Sequence, residues 1–299
     1  MPSIPRMVYA FLIPALLLLS AFVLYPTAST IYISFFNWKG SVMGEFSGLD
    51  NYIEVFSRRD FLNTGRPIFK GPPYGALVHN GIWIVVHLPL SIFFGLLLAV
   101  LLRDVKGGAI IKSIIFLGMV IPMVVGGILL RFIYDSDAGI LNGLLRIIGL
   151  GNLARTWTAF PDTALISLII GTVWIWTGFC VIVYSAGLEG IPVELYEAAR
   201  IDGASRWRTF WRVTIPMLKP ATIVVVTMTL LWILKIFDIV YVITLGGPGG
   251  ASTVMALEMY FDAFFSIPAK FGTASAIATL LTAMTFGFAA YMVKKMTEG

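Results

Sequence analysis

The chain has 299 residues, 58% of them hydrophobic and only 12% charged, with a formal net charge of +5 and a mean hydropathy of +0.90. Soluble domains carry about twice that charge fraction, so most of this surface must face lipid, and the basic excess reads as membrane orientation rather than nucleic-acid binding. Cys180 is the only cysteine, which excludes an internal disulfide, and His79 and His87 lack the neighbours of a metal site.

Apolar runs near or above the ~18–20 residues that cross a bilayer fall at 8–33, 80–102, 110–130, 163–184, 221–245 and 273–293. They predict an all-α, polytopic membrane protein with six transmembrane helices in a single domain over 1–299. The first run follows Arg6 as a signal peptide would. It continues past the usual ~7–15 apolar residues without a small-x-small cleavage site before Tyr25-Pro26, which predicts a retained helix. Residues 37–79 are too polar to embed and too long for a turn, and predict a small structured external loop region. Gly246-Gly-Pro-Gly-Gly250 ends the fifth helix; no Gly-Lys-Ser/Thr follows, so it is not a phosphate loop.

The charged island at 190–220 separates the fourth and fifth helices. Pro192 and Glu194 suit a first helical turn, predicting a short helix to Asp202; Gly203 supplies the left-handed residue and Ser205 caps a second helix. On that second helix Trp207, Phe210, Trp211 and Thr214 share one face and Arg208 and Arg212 another, as in an element lying flat at a membrane surface. Lys235 and Asp238 are the only opposed charges inside a predicted span, three residues apart on one helical face. Their cost in lipid predicts an intramembrane pair, a place on the solute pathway or a contact with a partner. Lys and Arg are about twice as dense in the segments on the island's side of the membrane, which places both termini and the island in the cytoplasm.

Glu197-Ala-Ala199, three residues, Gly203, nine residues, then Val213, Ile215 and Pro216 resemble the coupling loop, or EAA motif, of ABC importer permeases. Ser34-Phe-Phe-Asn-Trp38, Gly139-Ile-Leu-Asn142 and Phe237-Asp-Ile-Val-Tyr-Val-Ile-Thr-Leu-Gly-Gly-Pro248 extend the resemblance to the carbohydrate-uptake class, similar to maltose and glycerol-phosphate permeases. The resemblance implies the type I importer permease fold in a cytoplasmic (inner) membrane. It also implies a second permease chain different from this one, two ATPase subunits that bind the ATP and Mg, and an extracytoplasmic binding protein. Glu197, Ala198, Ala199, Asp202, Gly203, Ala204 and Pro216 would then couple to the ATPase. The chain itself carries no Walker motif and needs no cofactor of its own, so it is read as a transport subunit and not an enzyme. The resemblance further places substrate contacts on the helices flanking the loop, where Thr172, Trp176, Phe179 and Val183 form one stripe and Thr229, Trp232, Ile233 and Ile236 another. Rings and hydroxyls suit a sugar, and plain helix packing explains the same stripes. sn-Glycerol 3-phosphate or another polar solute remains open. An ion-coupled secondary transporter would show internal repeats and charge relays, of which only Lys235 and Asp238 offer a hint.

Overall fold

The computed structural model describes residues 6–297. The first apolar run forms α1 (Arg6–Leu19) and α2 (Tyr25–Ile33), joined through one wide π turn at Ser20–Leu24 directly before Pro26. Proline has no N–H for the helical ladder, and a wider turn absorbs the missing bond. The cap that follows departs from an all-helical chain in one small element. A two-residue turn at Gly40, whose φ is +75°, joins β1 (Phe36–Lys39) to β2 (Val42–Phe46) in an antiparallel hairpin with Trp38 opposite Met43. α3 (Asp50–Ser57) locks the hairpin to the helix below it: buried Asn51 donates through Nδ2 to the carbonyls of Ser34 at 2.9 Å and Phe36 at 2.8 Å.

The body is organised around α8 (Pro161–Glu189), whose 29 residues reach about 43 Å at 1.5 Å per residue. Of its most apolar stretch 67% is buried, against 22% for α4 (Ala76–Leu101) and 17% for α15 (Phe271–Thr297), so α8 is the core helix that the others clothe. α4 comes close enough to α8 that a Cβ at Gly95 would overlap Cys180.

Two predicted spans are not straight helices. The run at 110–130 divides into α5 (Gly108–Val120) and α6 (Met123–Ile133), bent by 103° at Pro122, which cannot donate to the ladder. α7 (Ile140–Ile147) follows, held by Asn142, whose side chain bonds the Asp135 and Arg155 carbonyls, the Arg155 N–H and the Trp157 indole. The run at 221–245 ends early: α12 (Lys219–Leu234) stops after 16 residues, Lys235–Phe237 cross a break, and α13 (Asp238–Ile243) follows. Among the described residues four helices are long and apolar enough to cross a membrane, and six spans result when two bent pairs each count as one: α5 with α6, and Arg206–Met217 with α12 at 63°.

Candidate functional site

The island between α8 and α12 folds as its residues dictate. α9 (Val193–Ile201) begins after Pro192, with Glu194 in its first turn. Its end is closed by two reversed bonds, Gly203 N–H to the Arg200 carbonyl at 3.0 Å and Ala204 N–H to the Ala199 carbonyl at 2.9 Å, with Gly203 at φ +68°. Ser205 then caps α10 (Arg206–Thr209), its Oγ accepting from the Arg208 N–H at 3.3 Å. Ala199 alone of α9 is buried; Glu197, Ala198, Asp202 and Gly203 are exposed, Ala204 is half-buried and Pro216 exposed. Val193, Glu197 and Ile201, at i, i+4 and i+8, form an outward face on which Ile201 is 88% exposed.

The second helix of the island departs from expectation. It gives way after one turn to a π turn at Phe210–Thr214 and then α11 (Ile215–Met217). Trp207, Phe210 and Trp211 still cluster, with Trp207 and Trp211 rings 5.7 Å apart and largely exposed, but Thr214 turns inward to share a 3.3 Å hydrogen bond with the Tyr196 hydroxyl. Tyr196 also lies 5.0 Å beneath the Arg103 guanidinium, tying α9 to the end of α4.

The two predicted stripes meet. Trp176 of α8 and Trp232 of α12 stack with centroids 4.9 Å apart and planes 23° apart, and Trp176 Nε1 donates to Thr229 Oγ1 at 2.7 Å. Phe179 sits 5.4 Å from Trp176, Val183 joins the same core, and Ile233 is fully buried. Thr172 donates to the Leu168 and Ile169 carbonyls, and both it and Thr229 are fully buried, so neither threonine of the stripes offers a hydroxyl to a solute in this conformation. α4 supplies residues that sequence reasoning missed: His87 lies 5.2 Å and Trp83 6.2 Å from Trp232, and Asn80 bridges the Ile233 carbonyl and the Met255 N–H. Their signal was hidden because α4 is apolar all round.

At the break below Trp232 opens a cleft of about 290 Å³ lined by Trp176, Met228, Trp232, Ile236 and Phe237 together with Lys235 and Asp238. The expected ion pair is not made: no contact within 4 Å joins Lys235 to Asp238. The helix that would have put them on one face ends between them. Lys235 instead closes the C-terminal, negative end of α12, while Asp238 opens α13, and both side chains are exposed in the cleft.

A second polar centre, also missed, ties the cap to the segment after α13. There α14 (Met255–Tyr260) leads through a π turn to Phe265. Arg58 donates to Asp60 at 2.9 Å, Glu258 at 3.0 Å and Asp262 at 2.6 Å, and Thr273 donates to Asp262 at 2.8 Å. Burial, reinforced by the charge of Asp60, pushes Glu258 up to about 7 despite the opposing pull of Arg58. Burial works against the charged form of Arg58 too, but its bonds to Asp60 and Asp262 more than offset that and hold it fully protonated. Partners some 200 residues apart leave no local pattern to read.

An apolar helical body, an exposed short helix on one side and an aromatic cleft within define a membrane permease. Over residues 91–298 the chain matches the binding-protein-dependent transport system inner membrane component, and it belongs to that family. It is 53% identical to a probable ABC transporter permease protein of Pyrococcus horikoshii, covering 96% of this chain and 97% of that one. It is 31% identical to the trehalose/maltose transport system permease protein MalF of Thermococcus litoralis, over 96% of this chain and 92% of the relative. Its fold superposes with a TM-score of 0.75 on a bacterial ABC transporter involved in the import of the acidic polysaccharide alginate. That match has 22% identity and covers 98% of this chain and 95% of the other.

Proposed function

We propose that this permease passes a sugar or oligosaccharide inward through the cleft between α8 and α12. Two partner ATPase subunits, which bind the ATP and Mg²⁺, grip the outward face of α9. A second permease chain completes the path, and an external binding protein delivers the solute on the side of the cap. Both termini and the island lie in the cytoplasm. The single observation that carries the reading is the exposed Val193–Glu197–Ile201 face of α9, because an isoleucine left 88% exposed beside a carboxylate needs a partner groove. The sugar class draws its support from the trehalose/maltose relative and from the ring pair Trp176–Trp232, whose faces match the C–H face of a pyranose.

In this mechanism α9 is the handle. Closure of the ATPase dimer displaces it, and the movement reaches the cleft through Tyr196, Leu188, Leu218 and Val225, which belong to the same core as Trp176 and Trp232. The test uses the complex reconstituted in vesicles with its ATPase and binding protein. Glu197→Lys should abolish uptake at normal membrane levels, and Glu197→Cys should react with an impermeant maleimide only from the ATPase side. Trp232→Ala should lower uptake at least several-fold, since one stacked ring is worth about 1 kcal/mol. Wild-type uptake in Glu197→Lys, or labelling from the opposite side, would refute the coupling role.

A further inference from the structure

The cleft at the break in α12 holds one cation and one anion that do not bond each other. Lys235 is placed at the negative end of a 16-residue helix, which steadies its ammonium without a carboxylate partner. Asp238 lies beyond the break, exposed in the same cleft, and among the described residues no arginine or lysine reaches it within 4 Å. The break itself is built into the fold. Asn80 Nδ2 holds the Ile233 carbonyl at 3.2 Å and its Oδ1 accepts from the Met255 N–H at 2.9 Å, so α4 keeps the helix end and α14 in register around the charges. The threonine hydroxyls above are fully buried and do not line the cleft, which leaves these two side chains as its charged groups.

We propose that Lys235 and Asp238 are specificity-determining residues that select a net-neutral glycoside, Asp238 accepting two neighbouring hydroxyls and Lys235 donating to a hydroxyl or ring oxygen while the pyranose lies against Trp232. The inference rests on the sugar-import reading above and narrows its substrate class. A hydroxyl both donates and accepts, so a vicinal diol satisfies a carboxylate and an ammonium together. An acidic sugar would add a negative charge to a cleft whose ammonium and carboxylate already balance, and could reach Lys235 only by bringing that charge near Asp238. The volume, about 290 Å³, suits one or two sugar rings and not a long polymer held at once.

The experiment reconstitutes the complete complex in vesicles and follows uptake of radiolabelled trehalose, maltose and a glucuronic-acid-terminated disaccharide below saturation, with ATP hydrolysis stimulated by the loaded binding protein as a parallel readout. Wild type should favour the neutral sugars. Lys235→Met and Asp238→Asn should each lower neutral-sugar uptake about tenfold, the loss expected when a charged group gives up its hydrogen bonds. Stimulated hydrolysis should persist, and Asp238→Glu should restore most of the uptake. Because the two side chains hold the same sugar, the double variant should lose no more than the product of the single losses. Preference of the wild type for the acidic disaccharide, unchanged uptake in both variants, or dissociation of the two permeases on size exclusion would each overturn the proposal, the last assigning the charges to the permease interface. Wild type moving none of the sugars, with hydrolysis still stimulated, would overturn the sugar reading itself and this inference with it.

Discussion

Gly203 shows how a single residue shapes the end of α9. No atom lies within 4 Å of the place a Cβ would occupy, so substitution there meets no obstacle except the backbone, held at φ +68°. That region costs an L-residue about 1–2 kcal/mol, less for asparagine and more for a β-branched side chain. Uptake should therefore fall in the order Asn, Ala, Val when each replaces Gly203, with membrane levels unchanged; equal uptake in Gly203→Val and wild type would show that the turn is not strained by the substitution. This turn was legible in the sequence because its determinants are local: Pro192, Gly203 and Ser205 act within a few residues of themselves. His87 and Asn80 were not legible. Asn80 bonds residues 153 and 175 positions away and His87 packs on Trp232, on helices whose mutual register no local pattern encodes.

At the scale of elements, the six apolar runs located the helices, since length and hydropathy alone decide what can cross a bilayer. Pro122 marks the bend between α5 and α6 in the sequence itself. The break at Lys235–Phe237 has no glycine or proline to announce it, and Ile236 and Phe237 keep the run apolar across it. The side chain of Asn80, which takes the Ile233 carbonyl at the helix end, comes from another element. Packing between elements depends on close approach, and Gly95 is the sharpest case. A side chain there would collide with Cys180 on α8, whereas a Cβ at Gly81 of the same helix meets nothing within 4 Å. Gly95→Val should thus cost at least 1–3 kcal/mol through overpacking and deplete assembled complex. Gly81→Val should leave complex yield close to wild type on size exclusion. Similar yields for the two variants would contradict the close α4–α8 contact.

At the scale of the whole molecule, the chain is fastened at two ends with different chemistry. On the cap side the Arg58 clamp gathers three carboxylates, and Glu258 is held near 7 against an ordinary 4.5. A folded-state pKa raised in this way gives stability that is complete below about 4.5 and is lost as pH rises through about 7. Asp60 is shifted the other way, chiefly by its bonds to Arg58 against the penalty of burial, so its contribution is lost only at more acid pH. The thermal midpoint of the purified complex should therefore drop by a few degrees between pH 5 and pH 8. Glu258→Gln should remove most of that slope, and an unchanged slope in this variant would place the titrating group elsewhere.

On the opposite side the fastening is apolar and continuous. Tyr196 of α9 packs on a core that runs through Leu188, Tyr184 and Cys180 of α8 to Trp176, with Leu218, Val225 and Trp232 arriving from the other direction. A close-packed interior transmits displacement because its side chains have few alternative positions. α9 is joined to that core at few points, since Ala199 is its one buried residue and Tyr196 adds the ring beneath Arg103 and the hydroxyl on Thr214. Removing the ring should loosen the joint without touching either the docking face or the cleft. Tyr196→Ala is expected to keep stimulated ATP hydrolysis while uptake per ATP falls several-fold, and Tyr196→Phe, which keeps the ring and loses only a 3.3 Å hydrogen bond, should stay near wild type. Simultaneous measurement of uptake and hydrolysis in the reconstituted complex separates the outcomes: a proportional fall in both would mean that Tyr196 serves docking, and the motion would have to reach the cleft through the α11–α12 side alone.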